Sequence, residues 1–337
     1  EVLSGMKGTL FIAPDGALNL ISFAGLMDPK GKYLIENHPI HYLSAGRDLI
    51  RISQDSSASG TGLLALGDPD YDATAGQRLL KGREFALNTT QSEVATTRNV
   101  RSSCEALSEM KVSRLPNTKA EVENIAGYFP SSDLFEGRSA SEENFKKNAP
   151  GRKAIHIATH GYFISGECQE KLNKNSDTFV GENPLLQSGL LLAGANLHGS
   201  DIKNNEAEDG IVTALEVSAM DLRGVDLVVL SACETGLGKV KQGEGVYGLC
   251  RAFQLAGAKT VVSSLWQVPD RETTKMMIQI YERMSDLRKK HSGHSETYPQ
   301  LMQQVILKRI AELRDRGRPT HPYTWGGFIA TGDWRLR

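Results

Sequence analysis

The sequence has few cysteines, and none of them is spaced as in a metal site. Four are present among 337 residues: Cys104, Cys168, Cys233 and Cys250. No two form a Cys-x-x-Cys pair, which argues against the usual zinc sites. A chain of this length buries a full core without disulfides, so the cysteines do not indicate a disulfide framework. We expect reduced thiols and a cytoplasmic location.

Long apolar runs and an excess of either charge are also missing. No run approaches the roughly 20 apolar residues of a membrane helix, and the start has no signal-peptide pattern. Lys and Arg total 39 against 40 for Asp and Glu, a formal charge of -1. We therefore expect no membrane association and no direct nucleic-acid partner. The chain begins with Glu1 rather than Met, which favours a piece of a longer protein whose N-terminal region regulates it.

Short apolar segments alternate with helical patterns over most of the chain. The segments near residues 63, 134, 155, 228, 261 and 328 predict six strands. This alternation indicates an α/β fold, with a mostly parallel sheet and helices on both faces. We expect a β-rich extension over residues 1–60 and a core over residues 61–337, with long insertions near 70–116, 165–183 and 194–210.

Two local motifs predict a turn and a helix start. Residues 9–13 and 17–22 are apolar and flank Pro14-Asp15-Gly16, the composition of a β-turn, so they predict a hairpin. Thr118 is followed three residues later by Glu121, the pattern of a capping box. We expect a helix that begins at this threonine.

A cysteine and a histidine each follow a buried-type strand. Cys233 comes after the apolar run 227–230, and His160 ends the segment 154–160. The carboxyl edge of an open α/β sheet is where ligands bind. A thiol next to an imidazole is a nucleophile with its base. The two side chains meet only if their strands are neighbours in the sheet and end at the same edge.

The residues around this pair have both functional and structural interpretations. The backbone N–H groups of Gly161 and Cys233 are the natural oxyanion donors, and Gly161 lets the main chain approach closely. A cysteine after a buried strand is more often inert packing in an arbitrary protein. We expect His156 to be a satisfied histidine, either in the core or directly behind the site residues, and Cys250 to be a core residue on a helix face. Glu234 either contacts the substrate or is solvated.

A family resemblance becomes specific at these residues. Ala158-Thr159-His160-Gly161, followed by Leu230-Ser231-Ala232-Cys233-Glu234-Thr235-Gly236, resembles the CHAT domain, a caspase-like and separase-like cysteine peptidase family common in bacteria. Further blocks in the same order resemble the family along nearly the whole chain; they are 13–18, 66–71, 115–121, 209–214, 243–248, 264–268 and 321–325.

The resemblance implies a caspase-type sheet, a His160–Cys233 dyad and an oxyanion hole at Gly161 and Cys233. It also implies a protein or peptide substrate and no cofactor. We therefore expect a cysteine endopeptidase that acts through an acyl-enzyme, in a bacterial defence or programmed-death pathway. CHAT domains often follow helical repeats, which points to an activating partner or N-terminal region. Two alternatives stay open: a silent peptide-binding or regulatory domain, and a thiol acyltransferase or other non-peptide hydrolase.

The sequence says less about specificity. In caspase-like folds the residue two before the nucleophile helps line the pocket for the substrate side chain before the cut. That residue is Ser231, which carries no charge. The acidic loop 206–209 can supply negative charge from elsewhere, so we expect Asp209 to favour a basic or neutral residue before the cut.

Overall fold

The computed structural model describes residues 6–53, 58–74, 111–163, 184–197, 208–232, 245–266, 268–289 and 296–336. The predicted insertion at 165–183 lies outside these residues, as do most of those at 70–116 and 194–210. The described residues form a central sheet, a smaller second sheet and helices against the central sheet.

The strands in the described ranges are short, and most are buried. In chain order they are β1 (Leu10–Ile12), β2 (Ile40–Tyr42), β3 (Thr61–Pro69), β4 (Ser132–Gly137), β5 (Arg152–Ala158), β6 (His160–Phe163), β7 (Ser188–Leu191), β8 (Ile211–Thr213), β9 (Leu227–Leu230), β10 (Thr260–Ser264) and β11 (Phe328–Gly332).

The helices of the described ranges include two long ones near the C-terminus. In chain order the α-helices are α1 (Leu34–Asn37), α2 (Asp48–Ser53), α3 (Pro116–Ala126), α4 (Glu142–Asn148), α5 (Ala214–Ser218), α6 (Gly245–Ala256), α7 (Asp270–Lys289) and α8 (Tyr298–Asp315). Among these helices, none is both long and apolar enough to span a lipid bilayer.

The central sheet confirms the predicted α/β architecture. Its strand order is β1-β2-β11-β10-β9-β5-β3-β4, and it contains all six predicted strands. β3, β4, β5, β9 and β10 run parallel, whereas β11 is antiparallel to β10. β1 and β2 extend the sheet beyond β11, so the segment before residue 60 joins the same sheet as the core. The domain boundary near residue 60 stays a prediction.

Helices cover both faces of this sheet, as the alternation of segments predicts. Leu63 and Ala65 of β3 pack with α3, α7 and α8 on one face, while Leu64 and Leu66 pack with α4, α5 and α6 on the other. Neighbouring side chains of a strand point to opposite faces, so an uninterrupted apolar run fits a strand that is buried on both sides. Gly67 lets α3 approach closely, because a Cβ there would lie 2.8 Å from the Thr118 carbonyl oxygen.

The predicted N-terminal hairpin is wrong. Residues Gly16–Leu20 form a 3₁₀ helix, and β1 pairs in parallel with β2 rather than with the next segment. The Asp15 carboxylate accepts the Gly16 N–H at 2.7 Å, and Gly16 has a φ of 56°. Asp15 therefore caps a helical turn where the composition suggested a β-turn.

The predicted capping box at Thr118 is also wrong. α3 begins at Pro116, directly after Leu115, and proline suits a first helical position. The Thr118 hydroxyl donates to the Leu115 carbonyl at 2.6 Å and accepts the Asp68 N–H at 2.9 Å. It thus ties the end of β3 to α3. Glu121 has no exposed surface and faces the core instead of the helix start.

His41 holds the N-terminal segment against the sheet. Its ring is buried in β2, and Nε2 lies 2.8 Å from the Gly332 carbonyl oxygen of β11. A carbonyl only accepts hydrogen bonds, so Nε2 carries the proton. Nδ1 has no hydrogen-bond partner among the residues that the structure describes. Burial lowers the pKa of His41 to about 4.

Acid is therefore expected to weaken the fold through His41. Between pH 6.5 and pH 4, unfolding lets this imidazole take up a proton that the native state resists. The stability that the neutral His41 ring contributes is fully present above pH 6.5. It is lost as the pH falls, and the free energy of unfolding drops by about 3 kcal/mol in total. Urea unfolding of the parent and of His41→Gln, at pH 7 and at pH 4.5, measures this loss of stability. An equal loss of stability in both proteins would show that His41 is not the titrating group.

Candidate active site

The strands that precede His160 and Cys233 are neighbours in the central sheet. β5 pairs in parallel with β9, with Ile157 opposite Leu230, and the Ser231 N–H donates to the Ile157 carbonyl at 2.9 Å. Both strands end at the same edge. In the sequence, His160 follows Ile157 by three residues and Cys233 follows Leu230 by three. The strand arrangement that the dyad requires is thus confirmed.

The candidate residues are only partly within the described ranges. Cys233 and Glu234 lie outside them, directly after Ala232. Ser231 lies within the described ranges and has no exposed surface. Asp209 is half-buried before β8, where its carboxylate accepts the Ile211 N–H at 2.8 Å.

His160 begins a new strand and does not continue β5. It opens β6, which pairs with β7 in a small antiparallel sheet, with His160 opposite Leu191 and Gly161 opposite Leu190. The imidazole is 3% exposed, and its Nε2 lies 2.9 Å from the Ser113 carbonyl oxygen. Because the carbonyl is an acceptor, Nε2 carries the ring proton and Nδ1 is the basic nitrogen of the neutral ring.

An aromatic ring and a hydroxyl also support His160. The ring centroids of Tyr71 and His160 are 5.5 Å apart, with an interplanar angle of 45°. The Tyr71 hydroxyl lies 2.9 Å from the Thr159 hydroxyl oxygen, and Thr159 donates to the Leu191 carbonyl. These contacts join the end of β3, the end of β5 and β7 around the imidazole.

His156 belongs to a buried network, as the sequence predicts. Its Nε2 lies 2.9 Å from a Glu121 carboxylate oxygen, and neither side chain is exposed. Its Nδ1 lies 3.3 Å from the Tyr281 hydroxyl, and the Thr274 hydroxyl donates to Glu121 at 3.0 Å. The network links β5, α3 and α7 within the core, and satisfied groups of this kind are structural.

An acidic cluster lies where the chain enters β8. Within the described ranges, one group of carboxylates has the spacing of a metal site: Glu142, Glu208 and Glu216. The Lys146 ammonium lies 2.8 Å, 2.9 Å and 2.8 Å from their respective oxygens and already supplies a positive charge there. Burial, together with the hydrogen bond between the Glu142 and Glu208 carboxyl groups, raises the pKa of Glu142 to about 9. Glu208 is thus paired with Lys146, although its side chain is exposed.

A comparison of the chain with models of protein families identifies the family to which it belongs. The model of the CHAT domain matches residues 2–333, nearly the whole chain. The chain belongs to the CHAT domain family.

A curated human protein is related to part of this CHAT domain. Tetratricopeptide repeat protein 28 from Homo sapiens is 25% identical over 203 residues, which are 58% of this chain and 8% of the human protein. The chain therefore spans a small part of the length of that relative.

Solved structures of cysteine peptidases resemble the CHAT domain weakly. A chain of the Saccharomyces cerevisiae separase–securin complex has a TM-score of 0.49 at 12% identity, over 96% of this chain and 15% of that one. The Arg-specific cysteine proteinase gingipain R has a TM-score of 0.44 at 10% identity, over 90% of this chain and 56% of that one. Likenesses at this level do not assign an activity.

Cys250 of the CHAT domain is a core residue, as predicted. It is 4% exposed in α6, and its thiol lies 3.1 Å from the Ser263 hydroxyl of β10. A buried thiol in apolar surroundings is inert. Cys250 is therefore a suitable control for experiments on Cys233.

The sequence analysis missed the residues that hold the imidazole. Ser113 acts through its backbone carbonyl, which leaves no signal in the side-chain type. Tyr71 lies in the block 66–71. The resemblance of this block to the CHAT family was the one feature of the sequence that could have pointed to Tyr71.

Proposed function

We propose that this CHAT domain is a cysteine endopeptidase in which His160 activates Cys233. The observation that supports the proposal most is the pairing of β5 with β9, in which Ile157 lies opposite Leu230. In the sequence, His160 follows Ile157 by three positions and Cys233 follows Leu230 by three. The Ser113 contact supports it as well, since it leaves Nδ1 as the basic nitrogen.

The proposed reaction has two steps. His160 Nδ1 takes the Cys233 thiol proton, and the thiolate attacks the peptide carbonyl carbon. The N–H groups of Gly161 and Cys233 stabilise the oxyanion. The C–N bond breaks as the imidazolium protonates the leaving amine, which gives an acyl-enzyme. Water, deprotonated by His160, then hydrolyses the thioester and regenerates the thiol.

We further propose that the substrate is a protein, cut after a basic or neutral residue. Ser231, Glu234 and Asp209 are the substrate-binding candidates, and Asp209 supplies negative charge near β8. The reaction needs no cofactor, and its thiolate is suited to a reducing cytoplasm. An activating protein or an N-terminal repeat region is expected to control it, within a bacterial defence or programmed-death pathway.

Cleavage of a proteome-derived peptide library by the full-length protein tests the function. We expect cleavage by the parent, complete loss in Cys233→Ala, and retention in Cys250→Ser, which keeps a side chain that can hydrogen-bond to Ser263. Cleavage that survives in Cys233→Ala would contradict the proposal. Absence of cleavage by the parent, with an intact fold, would favour the silent peptide-binding domain. Acyl transfer or hydrolysis of non-peptide esters without peptide cleavage would favour the acyltransferase.

A further inference from the structure

Both residues that flank Ser113 are clamped by side chains from other parts of the chain. Val112 is held on one side by Asn196, and Arg114 is held on the other by Asp68. The carbonyl between them is the one that accepts from His160.

The Asn196 amide contacts the Val112 backbone at two points. Its Oδ1 accepts the Val112 N–H at 2.8 Å, and its Nδ2 donates to the Val112 carbonyl at 3.0 Å. The side chain thus pairs with Val112 as a neighbouring strand would. Asn196 also donates through Nδ2 to Asp72 at 2.9 Å and through its backbone N–H to the Tyr71 carbonyl at 2.9 Å.

Asp68 holds Arg114 through a two-point ion pair. The Arg114 Nε donates to Asp68 Oδ1 at 3.0 Å, and Nη2 contacts Oδ2. Two parallel N–H···O bonds fix a guanidinium in direction as well as in position. Asp68 is 7% exposed and has a φ of 46°, a backbone conformation that aspartate tolerates better than most residues.

We propose that Asn196 and the Asp68–Arg114 pair are positioning residues for the His160 imidazole. They act through the Ser113 carbonyl, which selects the tautomer with the proton on Nε2. Asn196 also fixes Tyr71, whose ring lies against His160. The inference rests on the proposed function, in which Nδ1 of this imidazole is the base.

The geometry explains why two clamps are needed. Ser113 is exposed, so no packing of its own side chain fixes it. A hydrogen bond can position a ring only if the acceptor of that hydrogen bond is itself fixed. Misplacement of a catalytic group by about 1 Å costs on the order of 100-fold in rate. Clamps on the preceding and following residues limit the rotation of the Ser113 peptide unit.

The test reads His160 directly, by ¹⁵N NMR of the full-length protein labelled in its histidines. With Cys233 replaced by alanine, so that no thiol proton moves to the ring, we expect a protonated Nε2 and an unprotonated Nδ1 in the neutral imidazole. When Asn196→Ala or Asp68→Asn is added, we expect a mixture of tautomers. Asp68→Asn keeps a residue that tolerates positive φ, removes the charge and replaces one of the two acceptors of Arg114 with an N–H donor, so it serves if Asn196→Ala fails to fold. If the peptidase is active, kcat is expected to fall about tenfold to 100-fold with little change in KM.

Arg138→Ala is the matched control. It removes a weaker, single-contact Arg–Asp pair on the surface, from Arg138 to Asp70 at 3.4 Å, that does not contact Ser113 or its neighbours. His160 signals in both clamp variants that match those of Arg138→Ala would overturn the inference. Altered signals in a protein without peptidase activity would support the positioning role and would count against the proposed function alone.

Discussion

Replacing His160 with glutamine is expected to reduce peptide cleavage by about 10²–10⁴-fold at neutral pH, the usual contribution of a general base. Glutamine can still donate a hydrogen bond to the Ser113 carbonyl, which lies 2.9 Å from Nε2 in the parent. It cannot take up the thiol proton. The substitution therefore removes the base and keeps the contact that holds the side chain.

Cleavage rates with a peptide from the library, measured for the parent and the variant between pH 5 and pH 9, would test this. His321→Ala is the matched control, because His321 is an exposed histidine that does not belong to the strand edge where His160 lies. A His160→Gln variant that cleaves within about threefold of the parent would rule out proton transfer by this imidazole, given the magnitude expected for a base.

Replacing Glu121 with alanine is expected to destabilise the fold by about 1–3 kcal/mol, the cost of leaving a buried polar group without its partner. Glu121 and His156 have no exposed surface and lie 2.9 Å apart. The substitution leaves the imidazole without its carboxylate partner in the core, and it also removes an acceptor of the Thr274 hydroxyl. A buried polar group that loses its partner costs more than an exposed one.

Urea unfolding at pH 7 measures this loss. The control is Lys119→Ala, two residues earlier on α3, where the side chain is 53% exposed and its ion pairs are 3.8 Å and 3.9 Å long. We expect that control to change stability by less than about 1 kcal/mol. A loss of that small size in Glu121→Ala would mean that the network is not an important source of stability.

The strands of the core could be predicted from the sequence, because a strand that is buried on both faces of a sheet requires an apolar run such as Leu227–Leu230. The sequence was also sufficient for the common edge at which the strands before His160 and Cys233 end, since parallel strands in one sheet end at one edge. That these two strands are neighbours is shown by the fold alone. The prediction of His156 as a core histidine succeeded for a related reason, since a residue in mid-strand faces a helix layer.

Local patterns failed where distant residues set the structure. The turn composition at Pro14-Asp15-Gly16 is also compatible with a capped 3₁₀ helix, and pairing of β1 with β2 selects that form. Glu121 has the spacing of a capping-box residue, yet its side chain is buried in the core, where it contacts His156. The support of His160 comes from Ser113 and Tyr71, which lie 47 and 89 positions earlier. Only the fold brings these segments together.

The pH dependence of Cys233 alkylation tests the central claim, that His160 activates this thiol, without any knowledge of the substrate. Modification by iodoacetamide would be followed by peptide mass spectrometry in the parent and in His160→Gln, with Cys250 as the buried reference. We predict that the parent rate reaches its plateau below about pH 7.5, as for a thiol paired with an imidazole, and that the variant rate rises through about pH 8.5, as for a free cysteine. Equal midpoints in the two proteins would contradict the account.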